Sequence, residues 1–125
     1  MGSRLVALAT KDPALKLLAA IARPDSPNLA RDAGEVAGIG AIGIPLSFDL
    51  RPTPQVLIDF TSPVGMRHWL KTCRDRGIGM VIGTTGLQPT DHDAIDMAAA
   101  DIAIVQAPNM SLGVNLLFKI AGEVA

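Results

Sequence analysis

The chain has one cysteine, Cys73, in 125 residues. A single cysteine excludes an internal disulfide and suits a reducing compartment, so a cytoplasmic protein is expected. Neither sign of charge is in excess: the formal net charge is -1 and the sequence pI is about 6.0. That leaves no basic footprint, and no nucleic-acid partner is expected. No apolar run reaches the ~18 residues of a membrane span, and no signal peptide is visible. No membrane partner is expected either. His68 and His92 stand at no metal-ligand spacing from Cys73, and neither gives it triad-like surroundings. No metal site and no catalytic residue are therefore assigned, and Cys73 reads as a small core residue. Hydrophobic residues at 49% and charged residues at 18% make a globular composition, with enough chain for one domain and one core.

The pattern along the chain alternates. Ser3 to Thr10 reads as a short helix with Leu5, Leu8 and Ala9 on one face, broken at Asp12-Pro13. Lys16 to Arg23 (KLLAAIAR) reads as a buried strand, and Pro24 to Asn28 as a loop. Residues 31 to 43 are glycine-rich and read as irregular. A flexible surface excursion is expected there rather than a phosphate loop, since no lysine follows in Walker spacing. Ile44 to Phe48 is a weak strand and Gln55 to Phe60 (QVLIDF) a buried one. Ser62 and Pro63 then open a helix as N-cap and first helical residue, with Met66, Trp69, Leu70 and Cys73 inward and Gly77 as the stop. Pro89-Thr90 reads as the start of another helix, with Asp93 three residues after Thr90 in capping-box position and Asp101 as the end. Ile102 to Val105 is a strand, and Ser111 caps a last helix running to Ala125.

Between these lies Met80-Val81-Ile82-Gly83-Thr84-Thr85-Gly86. Three consecutive apolar residues suit a strand buried on both faces. The glycines after it permit a sharp turn and close approach of backbone to a ligand. Two threonine hydroxyls stand just beyond the strand's carboxyl end, where open α/β sheets bind ligands. Taken alone, the tetrad favours the ordinary reading, a strand-to-helix turn. Solid apolar strands alternating with helices predict an α/β fold with a doubly wound, Rossmann-like parallel sheet. The polar loops at Arg23, Thr61-Ser62, Gly83 to Thr85 and Ala107 to Met110 would then gather on one edge.

Five ordered blocks carry a resemblance. DAGEVAG (Asp32 to Gly38), IDFTSP (Ile58 to Pro63), GMVIGTTG (Gly79 to Gly86), AADIAIV (Ala99 to Val105) and APNMSLGVN (Ala107 to Asn115) together resemble the nucleotide-binding domain of bacterial dihydrodipicolinate reductases. The resemblance covers essentially the whole chain. It implies an oxidoreductase that converts 4-hydroxy-tetrahydrodipicolinate to tetrahydrodipicolinate with NADH or NADPH, in the diaminopimelate route to lysine. It implies that Gly83, Thr84 and Thr85 lie along the nicotinamide side of the dinucleotide, with Thr85 also near the substrate carboxylate. Ala107, Pro108, Asn109 and Met110 match a second nicotinamide-side segment, and Arg23 matches an arginine beside the adenine ribose or its phosphate. Met1-Gly2 matches the tail of the family's glycine-rich turn, which makes Gly2 a cofactor-binding candidate; the alternative is that Met1-Gly2-Ser3 is an added leader. With Ala22 where many members carry an acid, and Arg23 after it, NADPH is favoured over NADH.

Two departures from the family qualify this. Its first strand and most of its glycine turn have no counterpart here, nor do its His-His motif, catalytic lysine and DxPSGTA-type loop. Residues 1–125 are therefore expected to be an incomplete dinucleotide-binding domain without a substrate domain, binding the cofactor weakly and inactive alone. The missing strand is central in a doubly wound sheet. KLLAAIAR and QVLIDF would then close up, receive another chain, or stay loose. Two rival readings remain: a nucleotide- or partner-binding module without chemistry, and a homo-oligomer paired through open strand edges.

Overall fold

The computed structural model describes residues 1–124, without the side chains of Leu112 and Phe118. The described residues form five helices and five strands, in the order α1 (Gly2–Lys11), β1 (Ala20–Ile21), α2 (Ala33–Val36), β2 (Leu46–Ser47), β3 (Val56–Asp59), α3 (Pro63–Arg76), β4 (Gly79–Ile82), α4 (Pro89–Ala99), β5 (Ile104–Gln106) and α5 (Leu112–Val124). The expected α/β alternation is present, and every strand pair is parallel. The strands divide into a two-stranded sheet, β1-β2, and a three-stranded sheet, β3-β4-β5. The chain correspondingly divides into two compact units, Met1–Pro54 and Gln55–Ala125.

In the first unit, KLLAAIAR is a strand over only two residues. Ala20 and Ile21 pair with Leu46 and Ser47, and Ala22 N–H extends the ladder to the Ser47 carbonyl at 2.9 Å. The residues before Ala20 have no strand partner, and Leu15 and Leu18 are exposed. An apolar run becomes strand only where a neighbour accepts its hydrogen bonds. Ile44 to Phe48 is likewise trimmed to Leu46–Ser47.

The stretch 31 to 43 is more ordered than its glycines suggest. Asp32 caps the one-turn helix α2, and its carboxylate accepts from the N–H groups of Gly34 (2.8 Å), Glu35 (3.2 Å), Ile42 (3.0 Å) and Gly43 (2.7 Å). These bonds hold the Asp32 carboxyl below its ordinary value, the Ile42 N–H contributing most. The phosphate-loop alternative fails for the same reason: the donors a phosphate would need are taken.

In the second unit the sheet order β3-β4-β5 sets Leu57 beside Met80 and Met80 beside Ile104. Helix α3 follows its local signals. The Ser62 hydroxyl accepts from Gly65 N–H at 3.2 Å, Pro63 opens the helix, and Gly77 closes it at φ 67, in the left-handed region glycine favours. Met66, Trp69, Leu70 and Cys73 are buried against the sheet residues Leu57, Met80 and Ile82, with Ile95, Ala98 and Ile102 completing the core. Helix α4 starts at Pro89, as expected, but its capping box lies two residues before Thr90 and Asp93. Pro89 takes the first helical position, where its missing N–H costs nothing, so the cap falls at Gln88. Asp91 in place of Asp93 then reaches back to the Gln88 N–H at 2.8 Å. The helix stops at Ala99, short of Asp101, and strand β5 begins at Ile104 because Ile102 N–H is spent on the Ala98 carbonyl. Ala125, the expected end of the last helix, lies outside the described residues.

Strand β3 is buried on one face only, while Val81 on the same open face of β4 is half-buried. Along β3, Leu57 and Asp59 are buried while Val56 is 50% and Ile58 49% exposed; Val105 on β5 is 59% exposed. The expectation of strands buried on both faces is corrected here: α3 supplies the cover for one face.

Candidate functional site

Three parallel strands place three loops at one sheet edge. β3 leads into Phe60-Thr61-Ser62, β4 into Gly83-Thr84-Thr85-Gly86, and β5 into Ala107 to Met110. Each ladder runs one bond past its strands. Gly83 N–H donates to the Asp59 carbonyl at 2.8 Å, and Ala107 N–H to the Ile82 carbonyl at 3.2 Å. The loop starts are thus held side by side by the same hydrogen bonding that builds the sheet.

The two threonines after β4 divide. Thr85 is exposed, with its side chain at the surface of the loop. Thr84 is buried, and its hydroxyl donates to Asp59 Oδ2 at 2.5 Å while accepting from Thr61 N–H at 3.1 Å. The Thr61 hydroxyl donates to Asp59 Oδ1 at 2.7 Å. Asp59 is 1% exposed, yet both its oxygens are satisfied.

Glycine is required at 83 by a neighbour. A Cβ added there would lie 2.2 Å from Phe60 Cε1 and 2.4 Å from Cζ. The Phe60 ring therefore lies directly over the start of the loop, and the bare backbone of Gly83 is what admits it. Asp59 and Phe60 escaped assignment from sequence. The signal was the acid inside QVLIDF: a charge in an apolar strand asks for a buried partner.

The remaining assigned residues fall as follows. Ala107 is half-buried and Pro108 exposed. Asn109 is held in a turn, its Oδ1 accepting from Ser111 N–H at 2.8 Å and its carbonyl from Asn115 Nδ2 at 2.7 Å. Met110 is 39% exposed. In the first unit, Gly2 is the exposed first residue of α1. Arg23 follows β1, exposed, with Nε 3.6 Å from Asp25 Oδ1. The structure thus brings Gly83 to Thr85 and Ala107 to Met110 to adjacent strand ends within one unit, and places Gly2 and Arg23 in the other.

The titratable groups nearby are structural. The Asp91 carboxyl is lowered, first by the Arg67 guanidinium that grips both its oxygens and then by the Gln88 N–H; the pair ties α3 to α4. Burial pushes the Cys73 thiol up to about 11, which leaves it unreactive. His68 stacks edge-on against Trp69, and His92 Nδ1 meets Gln106 Nε2 at 3.3 Å; both histidines are exposed. Among the described residues no group of His, Cys, Asp and Glu could hold a metal ion, and no helix is long and apolar enough to cross a membrane.

The comparisons decide which family built this edge. Residues 1–110 match the family model described as dihydrodipicolinate reductase, N-terminus. The chain belongs to that family. A 4-hydroxy-tetrahydrodipicolinate reductase of Methylococcus capsulatus is 50% identical over 123 residues, which are 96% of this chain and 46% of the relative. The enzyme of the same name from Nitrosomonas europaea is 45% identical over the same shares. That of Geobacter sp. strain M21 is 41% identical over 128 residues, covering 100% of this chain and 48% of its own. The chain spans about half the length of the curated relatives it matches. The family's N-terminal part is an α/β unit with parallel strands here as expected, and the carboxyl edge of β3-β4-β5 is its candidate site.

Proposed function

We propose that residues 1–125 are an incomplete dinucleotide-binding domain of an NAD(P)H-dependent 4-hydroxy-tetrahydrodipicolinate reductase, acting in the diaminopimelate route to lysine. The observation that carries this is the pair of loops at Gly83 to Thr85 and Ala107 to Met110, fastened side by side at the carboxyl edge of a parallel sheet. A nicotinamide cofactor fits such an edge. Gly83 keeps the backbone bare, and Thr85 is exposed while Thr84 is buried on Asp59. When bound, the reduced nicotinamide supplies a hydride. The chain's own part is to hold the ring with Gly83, Thr84, Thr85, Ala107, Pro108, Asn109 and Met110, and to present the Thr85 hydroxyl to a substrate carboxylate.

Gly2 at the start of α1 would face the phosphates, and Arg23 the adenosine ribose. Arg23 supports a preference for NADPH, because its guanidinium matches a 2′-phosphate. Its contact with Asp25 is long and solvent-exposed, and a phosphate dianion would displace it. Binding is weak, NADPH exceeds NADH, and Arg23→Ala abolishes the difference. Titrating both cofactors into wild type and variant at one salt concentration tests this, and equal wild-type affinities refute the role of Arg23. No catalytic acid is assigned to the chain. Turnover of the pathway substrate above a no-enzyme control would overturn that reading.

One observation favours a second reading, self-association. β3 is an edge strand of its sheet, and its Val56 and Ile58 are half exposed. Sedimentation at several concentrations distinguishes a monomer from a homo-oligomer.

A further inference from the structure

Asp59 occupies an unusual place for a carboxylate: the last residue of a strand, 1% exposed, with two threonine hydroxyls as side-chain partners. Each hydroxyl comes from a different loop, Thr61 after β3 and Thr84 after β4. Thr84 closes the ring by accepting from Thr61 N–H. Room is also kept for this arrangement. A Cβ at Gly65 would lie 2.4 Å from the Thr61 Oγ1, so the first turn of α3 is glycine where Thr61 must turn inward. A hydroxyl has one proton: Thr84 gives its proton to Asp59, and Thr61 Oγ1 lies 2.7 Å from Asp59 Oδ1 against 3.4 Å from the Ser62 carbonyl, so the carboxylate is the nearer acceptor. An asparagine at 59 would offer one acceptor oxygen where the carboxylate offers two, and would turn its amide donors toward hydroxyls oriented to give their own protons.

We propose that Asp59 is a positioning residue. Through Thr61 and Thr84 it couples the loops after β3 and β4 and holds the backbone of Gly83 to Thr85 in the conformation that receives a dinucleotide. The last clause rests on the nucleotide-binding reading above; the coupling of the loops does not. Because Asp59 acts on backbone common to both cofactors, it sets affinity for NADH and NADPH alike and leaves their ratio to Arg23.

Three variants of the full chain test this: Asp59→Asn, Thr84→Val and Thr84→Ser. Two quantities are read in each: amide hydrogen exchange without cofactor, and affinity for NADH and NADPH. Asp59→Asn and Thr84→Val are expected to speed exchange at Thr61 and Gly83 to Thr85, and to weaken both nucleotides on the order of tenfold with their ratio unchanged. Thr84→Ser keeps the hydroxyl and is expected to restore wild-type exchange at both loops, whatever its own effect on affinity. Unchanged exchange at the two loops in both disruptive variants overturns the coupling. Loosened loops with unchanged affinity overturn the positioning role. Equal acceleration at the core amides of Met80 and Ile82 overturns it too, since the effect would then be one on global stability. A wild-type chain that binds neither nucleotide refutes the proposed function instead, and the exchange data alone then decide whether Asp59 couples the loops.

Discussion

Gly83→Ala puts a methyl group where the Phe60 ring now lies. The added carbon would stand 2.2 Å from Phe60 Cε1. Non-bonded carbons settle at about 3.5 Å or more, so the ring must withdraw by about 1.3 Å. It is half-buried and can respond in two ways. Staying and pushing its neighbours is overpacking; swinging out forfeits its buried area. Either costs about 1–3 kcal/mol. Gly83 is not in the left-handed region, so alanine also stiffens the unfolded chain, a gain of about 0.4–1 kcal/mol. The net expectation is a loss of about 1–2 kcal/mol, measured by urea denaturation at fixed slope. Phe60→Leu removes the ring atoms that the methyl group would meet. In that background Gly83→Ala should cost nothing or stabilise slightly, a coupling that a double-mutant cycle reads directly. The same penalty with and without the ring would refute the reasoning and show that something other than Phe60 excludes the side chain.

Ser62→Ala should lower stability by about 1 kcal/mol and Ser62→Gly by only a few tenths, because the hydroxyl satisfies the Gly65 N–H; equal losses in denaturation experiments would count against the cap. Cys73 should resist alkylation in the folded protein at pH 8 and react once urea exposes it, as a thiol raised to about 11 and fully buried requires. The Asp32 carboxyl is lowered from 3.8 in the folded chain, so its contribution is present above that value and is lost as pH falls through the lower folded value. Protection of the Gly34, Ile42 and Gly43 amides should therefore fade in acid below pH 3.8, and Asp32→Ala should remove it at every pH, as exchange measured across the range would show.

Local chemistry was legible where it is self-contained. Ser62-Pro63 and Gly77 bound α3 at the residues expected, because capping depends on atoms a few positions away. Strand length was not legible in KLLAAIAR, since a strand exists only where another strand accepts it, and Leu46–Ser47 offers two residues of partner. The start of helix α4 was legible in Pro89-Thr90, but its capping box was read two residues late, because Thr90 looked the better cap whereas Pro89 dictated the position of the first turn. At the candidate site, GTTG named the loop but not its orientation. Which threonine turns inward is decided by Asp59, a residue 25 positions away from Thr84 in the chain. Reading QVLIDF as uniformly apolar hid the alternation of exposed and buried residues that sends Leu57 and Asp59 to the same face.

The carboxylate of Asp32 sits among backbone N–H groups as a bound anion sits in a nest. This anion, however, is attached to the chain it organises. A free phosphate ordering a loop leaves when its concentration falls, and the loop disorders with it. A tethered anion is not diluted: its effective concentration is set by the chain's own reach and is the same in any buffer. Salt and cellular phosphate levels then have little hold on the stretch from Asp32 to Gly43. A proton on the carboxylate or unfolding of the unit releases it, and the close approach of Gly34 to the Gly40 carbonyl oxygen, with the Ile39 N–H bonded to the Gly34 carbonyl, returns Ile42 and Gly43 to the same carboxylate.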